Sequence, residues 1–413
     1  MTEAARRNPD GPAAAGRAAE IAARTSYGRL LALLASRSRD IAAAEDALAE
    51  ALAAALATWP VRGVPDNPDA WLLTAARRNL GHARARTATA QAGADTLAQL
   101  QDERDSNEPP SYGDPRLQLL FVCAHPAIDP AVQAPLMLQA VLGLDAARIA
   151  ASFLVAPATM SQRLVRAKTR IRDAGIAFAI PPTEQLAPRR AAVLAAIYAA
   201  YGTAHDDVPA AAEAQGLAGE AIWLARLLGE LLPDDPEARG LLALMLFCEA
   251  RRPARRDAAG GFVPLLAQDP HRWDAAMLTE AEALLRMAAQ ARTPGRFQIE
   301  AAIQSLHAQT VMTGSANPGA LVALYDLLLA VAPSTGARVG RAVALAALDV
   351  PAALADLDAL ATRCTGYQPW WAARAHVLRR AGDRAAAADA ARIAAGLASD
   401  PAVRNWLLAA SQE

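Results

Sequence analysis

The chain has 413 residues, with 41 Lys and Arg against 42 Asp and Glu, for a net charge of −1. That length predicts roughly two to four domains. The near-neutral balance excludes a protein that holds nucleic acid or a membrane surface by overall charge, so any such affinity has to come from local patches. Three scattered cysteines, Cys123, Cys248 and Cys364, suit free buried thiols in a reducing cytoplasm. Met1 to Glu20 carries charges, Pro and Gly without an apolar core, so no signal peptide is expected, and no uninterrupted apolar run reaches membrane length.

Few β-branched runs and a persistent helical period predict an all-α fold. Residues 1–19 read as a flexible N-terminus and 20–90 as a first small helical domain. Within it, Tyr27–Leu34 is helical by period, and Ile41–Leu52 forms a second helix with Asp40 as its cap. Asp46 and Glu50 are four apart on that helix and share one exposed face. Trp59 to Asp69, rich in Pro, Gly, Asp and Asn, is a loop. The helix from Ala70 to Leu80 follows, with Trp71 spaced for packing with Leu72 and Ala75. Arg77, Arg78, Arg84 and Arg86 give it a cationic edge. Residues 91–115 set Asp95, Asp102, Glu103, Asp105, Glu108 and Asp114 against Arg104 alone and include Pro109-Pro110, which predicts a flexible acidic linker.

Residues 116–178 form a second small helical domain. Leu117, Leu120, Phe121 and Ala124 make the core stripe of its first helix. Cys123 and His125 have nothing nearby to complete a tetrahedral set, so no metal is expected. Leu144–Leu154 and Ala158–Arg172 read as two helices joined by a tight turn, with Pro157 opening the second. Ile149, Ala150, Phe153 and Leu154 give the first an apolar face, and Met160, Leu164, Ala167 and Ile171 form the buried stripe of the second. Arg163, Arg166, Lys168, Arg170 and Arg172 occupy mostly its other faces. Lys168 is the only lysine in the chain, so the cluster is arginine-built, as phosphate and guanine contacts prefer. Thr159, Ser161 and Gln162 lie in the first turn, where base-edge readers sit. An apolar back and cationic front after a tight turn is how a helix-turn-helix enters the major groove. A helical hairpin with a solvated basic face is the plain alternative.

The string Val-Ala-Pro-Ala-Thr-Met-Ser-Gln-Arg-Leu-Val-Arg-Ala-Lys, ending at Lys168, resembles region four of bacterial extracytoplasmic-function sigma factors. The pattern there is Val-x-x-Gly-Thr-Val-Lys-Ser-Arg-Leu-x-Arg-Ala-Arg. Arg163, Leu164, Arg166 and Ala167 match, whereas Ala158, Met160, Ser161 and Gln162 depart from it, and Ser161 costs one cationic contact. Trp71-Leu72, Ala76-Arg77 and Asn79 are similar to the Trp-Leu-x-x-Ile-Ala-Arg-Asn string of region two. The resemblance implies a promoter-specificity subunit whose partners are core RNA polymerase and promoter DNA. Asp46 and Glu50 would dock on the polymerase, Arg77, Arg78, Arg84 and Arg86 would engage and open the downstream element, and the helix from Thr159 to Arg172 would read the upstream element. It also implies that the acidic linker threads toward the polymerase cleft; a plain tether is the alternative.

Residues 185–413 exceed a two-domain sigma factor, and Pro181-Pro182 marks the boundary. Helical segments recur at Arg189–Tyr201, Leu217–Leu232, Pro236–Glu249, Asp274–Ala291, Gln298–Thr313, Ala320–Ala332, Ala337–Leu348, Ala352–Arg363, Trp370–Ala381 and Arg384–Ala398. Around the Gly382 turn, Trp371, Ala375, Leu378, Ala387 and Ala394 fall on the packing positions of a tetratricopeptide repeat, predicting a stacked, repeat-like helical domain with a groove for a regulatory protein or peptide. A loop dense in charge breaks the period: Arg252, Arg255, Arg256, Asp257, Gly260, Gly261 and Phe262. It is similar to a loop in the sigma-factor group with a long helical tail, where Asp-Gly-Gly-Phe is common; here Ala259 stands for the Asp. It reads equally as a regulatory contact with the sigma body or polymerase, or as an internal salt-bridge network. Arg296, Phe297, Gln298, Glu300, Gln304, Ser305 and His307, on one helix, can line a pocket or pair with it.

No Gly-rich phosphate cradle, nucleophile elbow or paired metal-ligand motif stands out, so neither enzymatic activity nor a cofactor is expected. Two other functions remain open. A helix-turn-helix transcriptional regulator with a repeat-like sensor would bind closed duplex by itself. A helical-repeat interaction scaffold would show no salt-dependent DNA affinity.

Overall fold

Many helices of this chain start on a short acceptor side chain with proline next to it. Asp114, Asp129, Asp235, Asn317 and Asp400 each accept a backbone N–H from the first turn that follows, and Pro115, Pro130, Pro236, Pro318 and Pro401 stand at the first helical position, where no N–H is needed. The computed structural model describes residues 11–90, 114–153, 155–206 and 211–411, whose regular elements are helices. Among the described residues the only β pairing is an isolated bridge between Arg256 and Phe262, and no helix is long and apolar enough to cross a membrane. The chain divides into two compact units, Met1–Leu227 and Leu228–Glu413.

The first unit holds α1 (Gly11–Thr25), α2 (Tyr27–Ser38), α3 (Ile41–Arg62), α4 (Pro68–Ala90), α5 (Pro115–Cys123), α6 (Pro130–Leu142), α7 (Ala146–Ser152), α8 (Pro157–Asp173), α9 (Thr183–Asp206) and most of α10 (Ala211–Leu231). Helix α1 corrects the expectation of a flexible segment for residues 11–19; residues 1–10 lie outside the described residues. Its small residues Ala15, Ala19 and Ala22 recur on one face and are buried, and the helix packs on α3. Trp59 of α3 and Trp71 of α4 meet edge to face, with ring centroids 5.5 Å apart, and Asn79 donates to the Ala47 carbonyl at 3.3 Å. The acidic linker lies outside the described residues except for Asp114, which caps α5 and pairs with Arg116, and Pro115, which opens that helix.

The segments 20–90 and 116–178 are parts of one core. Helix α2 packs on α5 and α6, and α3 packs on α8. The crossing of α2 and α6 is close enough to demand glycine: a Cβ on Gly28 would sit 1.7 Å from the Val141 carbonyl oxygen. Helix α9 packs on α6, and buried Arg189 donates to the Phe121 carbonyl at 3.4 Å. Arg116 stacks over Trp223 of α10 at 3.9 Å. These contacts carry the first unit past Pro181-Pro182 to Leu227.

The second unit holds α11 (Pro236–Ala250), α12 (Ala275–Ala289), α13 (Arg296–Thr313), α14 (Pro318–Val331), α15 (Thr335–Leu345), α16 (Val350–Asp358), α17 (Gln368–Arg380), α18 (Arg384–Leu397) and α19 (Pro401–Ala410). The segment expected as one helix over Ala352–Arg363 ends at Asp358 and resumes as a short 3-10 turn at Ala361–Arg363, and α19 is an additional helix. Helices α17 and α18 pack through Ala375, Leu378, Ala387, Ala390 and Ala391, with Trp371 against them and Gly382 turning at φ +84°.

Candidate nucleic-acid interface

Helices α7 and α8 are positioned by ordinary local chemistry. Gly143 adopts φ +67° and closes α6, and the Asp145 carboxylate accepts the Arg148 N–H at 2.9 Å to start α7. Helix α8 begins on Pro157, with Ala156 extended before it. Ile149 and Ala150 are buried, Phe153 is partly buried, and Leu154 lies outside the described residues. The expected stripe of α8, Met160, Leu164, Ala167 and Ile171, is buried.

Successive residues turn about 100° around a helix, and this separates the remaining α8 side chains into sectors. Thr159, Arg163, Arg166 and Arg170 share one exposed sector, and Ala158, Ser161, Gln162 and Val165 share a second exposed one, to which half-buried Thr169 also belongs. Lys168 stands between the second sector and the buried stripe, whereas Arg172 falls within the second sector. Arg172 reaches Asp40 at 3.9 Å and its neighbour Asp173 at 3.1 Å.

Lys168 corrects the sequence reading that made it a DNA contact. It is 8 % exposed, and its ammonium pairs with Glu45 of α3 at 2.5 Å. Its place at the edge of the apolar stripe turns it toward α3 and away from solvent. Burial raises the Glu45 carboxyl pKa, with Asp46 and Asp40 adding to the rise, against the opposing effect of Lys168. One carboxylate oxygen, Glu45 Oε1, is buried without a hydrogen-bond partner. Burial, aided by Glu45, also raises the Tyr27 phenol and the fully buried Cys123 thiol. Cys123 is therefore a core residue, and His125 accepts the Ala127 N–H at 3.1 Å in the following turn.

The arginine sector of α8 faces a concave wall. Arg163, Arg166, Ala167 and Arg170 line one side of a cleft of about 410 Å³, and Ala127, Ile128, Asp129 and Val132 line the other, from the α5–α6 turn and the start of α6. On the α3–α4 side, Asp46 and Glu50 are both exposed on α3, and Arg77 and Arg78 are exposed on α4. Partial burial and the nearby Arg37 guanidinium lower the Arg77 pKa, so two cations from α2 and α4 share this surface; Arg37 had no marker in the sequence beyond its charge. The side chains of Arg84 and Arg86 lie outside the described residues.

The charged loop of the second unit forms an internal network, one of its two expected readings. Arg252 pairs with Glu249 at 2.7 Å and Arg256 with Asp400 at 2.5 Å. The Asp257 carboxylate accepts the N–H groups of Ala259 and Gly261, at 2.9 and 2.7 Å. Gly260 takes φ +82°, and a Cβ on Gly261 would meet Asp257 at 2.6 Å, so both glycines are needed. Phe262 stacks edge-on against Trp406 of α19, with centroids 5.4 Å apart. Arg255 is half-buried in the same segment. Behind the loop, buried Arg251 donates to the Phe247 carbonyl at 3.0 Å and to Gln304 at 2.6 Å, the pairing foreseen for Gln304. His307 lies close by, its pKa lowered to about 4 by burial and by Arg251. Ser305 donates to Glu282. Among the described residues no group of three or more His, Cys, Asp or Glu side chains is gathered.

The all-α architecture is accompanied by two sequence relationships. Residues 189–289 match a family of unknown function (DUF6596). An uncharacterized protein of Rhizobium meliloti (strain 1021) is 38 % identical over 354 residues, 83 % of each chain, and the chain belongs to the same family as that protein. No solved structure matches.

Proposed function

We propose that this protein is an RNA polymerase sigma factor of the extracytoplasmic-function type, directing promoter recognition, with the repeat-like helices of its second unit regulating that activity in cis. The reading rests on the resemblance in region two and region four. The observation that carries it is α8, where Met160, Leu164, Ala167 and Ile171 are buried while Thr159, Ser161, Gln162, Arg163, Arg166 and Arg170 are exposed, after a short helix and a turn. Its first-turn polar groups are available to base edges and its arginines to phosphates. Asp46 and Glu50 are likewise exposed, as docking on core polymerase requires. In this reading the protein acts in the cytoplasm, and a regulatory protein or peptide binds the second unit.

A helix-turn-helix regulator independent of polymerase is favoured by one observation: acidic α3 is packed against α8 through Glu45 and Lys168, where it serves as a structural support. Anisotropy of labelled duplexes separates the two. A sigma factor binds selectively only with core polymerase, and Asp46→Ala with Glu50→Ala weakens that complex. Tight, selective binding by the chain alone, unchanged by core enzyme, would contradict the sigma reading.

A further inference from the structure

Three arginines of α8, unlike several others in the molecule, form no ion pair among the described residues. Arg116, Arg172, Arg252, Arg256, Arg341 and Arg374 each sit against a carboxylate. Arg163, Arg166 and Arg170 form no ion pair among the described residues, although they stand one turn apart on one helix face. Like charges at that spacing repel, by a few tenths of a kcal/mol per pair. The fold nonetheless lines them along a cleft of about 410 Å³.

The opposite wall adds shape but few donors. Asp129 caps α6 by accepting the Ala131 N–H at 2.9 Å, and its carbonyl oxygen takes the N–H groups of Val132 and Gln133. Pro130 has no N–H. The amides at the head of α6 are thus occupied, and the Asp129 carboxylate offsets one of three positive charges. An anion in the cleft would be held by the guanidiniums. The wall also screens this sector from a flat base-pair edge, whereas the neighbouring sector stands open, with Ser161, Gln162 and a Val165 that is 61 % exposed. An apolar side chain at the centre of a polar surface suits the methyl group of thymine.

We infer that the two sectors divide the work of DNA binding. The Arg163–Arg166–Arg170 cleft is a phosphate site that grips one backbone phosphate of duplex DNA, and Ser161, Gln162, Val165 and Thr169 select the bases. This deepens the proposed function and rests on α8 entering a groove, though not on polymerase being the partner. Arg163 and Arg166 are then positioning contacts, in place of the base contacts that the sequence pattern allows.

The test is the salt dependence of binding to a randomised duplex pool, using the full chain with core polymerase and also alone. Replacing all three arginines by Ala is expected to weaken binding to every duplex evenly and to flatten the slope of log K against log salt by about 0.9, the value for one phosphate. Lysine at the three positions restores most of the slope. Val165→Ala and Gln162→Ala are expected to change the selected sequence with the slope unchanged. Thermal melting checks that each variant is folded. An altered sequence preference in the arginine variant, or a slope loss near three phosphates, would overturn the division. So would unchanged DNA binding. Inorganic phosphate supplies the second arm: saturable binding of phosphate to a chain that binds no duplex would make the cleft a small-anion site and overturn the DNA assignment. Binding that behaves as expected without core polymerase would sustain the cleft while removing the sigma reading.

Discussion

The two compact units hold their charges in opposite ways. In Met1–Leu227 a buried pair, Lys168 with Glu45, joins helices distant in sequence, and Arg163, Arg166 and Arg170 of α8 form no ion pair among the described residues. In Leu228–Glu413 arginines bridge neighbouring helices at the surface: Arg341 to Asp326 and Asp356, Arg374 to Asp358, Arg256 to Asp400. A buried ion pair adds little net stability yet fails badly when halved, whereas exposed pairs are each worth little and fail gently. The first unit is therefore sensitive to single charges at its centre and free to present others outward. The second ties several of its charges to one another at the surface.

The largest expected effect follows from halving the buried pair. Glu45→Ala strands the Lys168 ammonium in the core and should destabilise the first unit by about 3–5 kcal/mol, read from urea unfolding. The double replacement Glu45→Leu with Lys168→Met should be close to neutral or stabilising, and an equally severe loss in both would sink the argument. In the second unit the sharpest sensitivity is to protons. His307 is held neutral with its pKa lowered to about 4. The unfolded chain therefore takes up a proton near pH 6.5 that the folded chain refuses, so the stability present above that pH is lost as the pH falls toward 4. The loss is at most about 3 kcal/mol, and His307→Gln should flatten that part of the pH profile. Gly28→Ala, which drives a Cβ into the Val141 carbonyl, should cost about 1–3 kcal/mol in the first unit. Arg341→Ala, despite touching two aspartates, should cost under about 1 kcal/mol. An Arg341 effect as large as that of Glu45 would erase the contrast between the units.

The helices were legible where local chemistry decides them. The α8 stripe and the Gly382 turn announce themselves within a few residues, whereas α6, which starts on Asp129-Pro130, was not among the expected helices. Helix α19 carried the same signal at Asp400-Pro401 and could have been found by it. Helix α1 was obscured because alanine buries well without raising the hydrophobic contrast of a face. Long-range pairing was not legible. Lys168 reads as part of a cationic front from its charge and spacing, and its partner is 123 residues away. The loop residues Arg256 and Asp400 are 144 apart, so spacing alone could not choose between an outward contact and an internal one. Gly28 gave no sign that another helix backbone crosses there.

The most direct test of the central proposal is run-off transcription from fragmented host DNA by bacterial core polymerase, with and without the full-length protein. The account predicts discrete new transcripts that share an upstream motif and vanish when Asp46 and Glu50 are replaced by Ala. Folded full-length protein that binds duplex DNA yet yields no new start sites would contradict it.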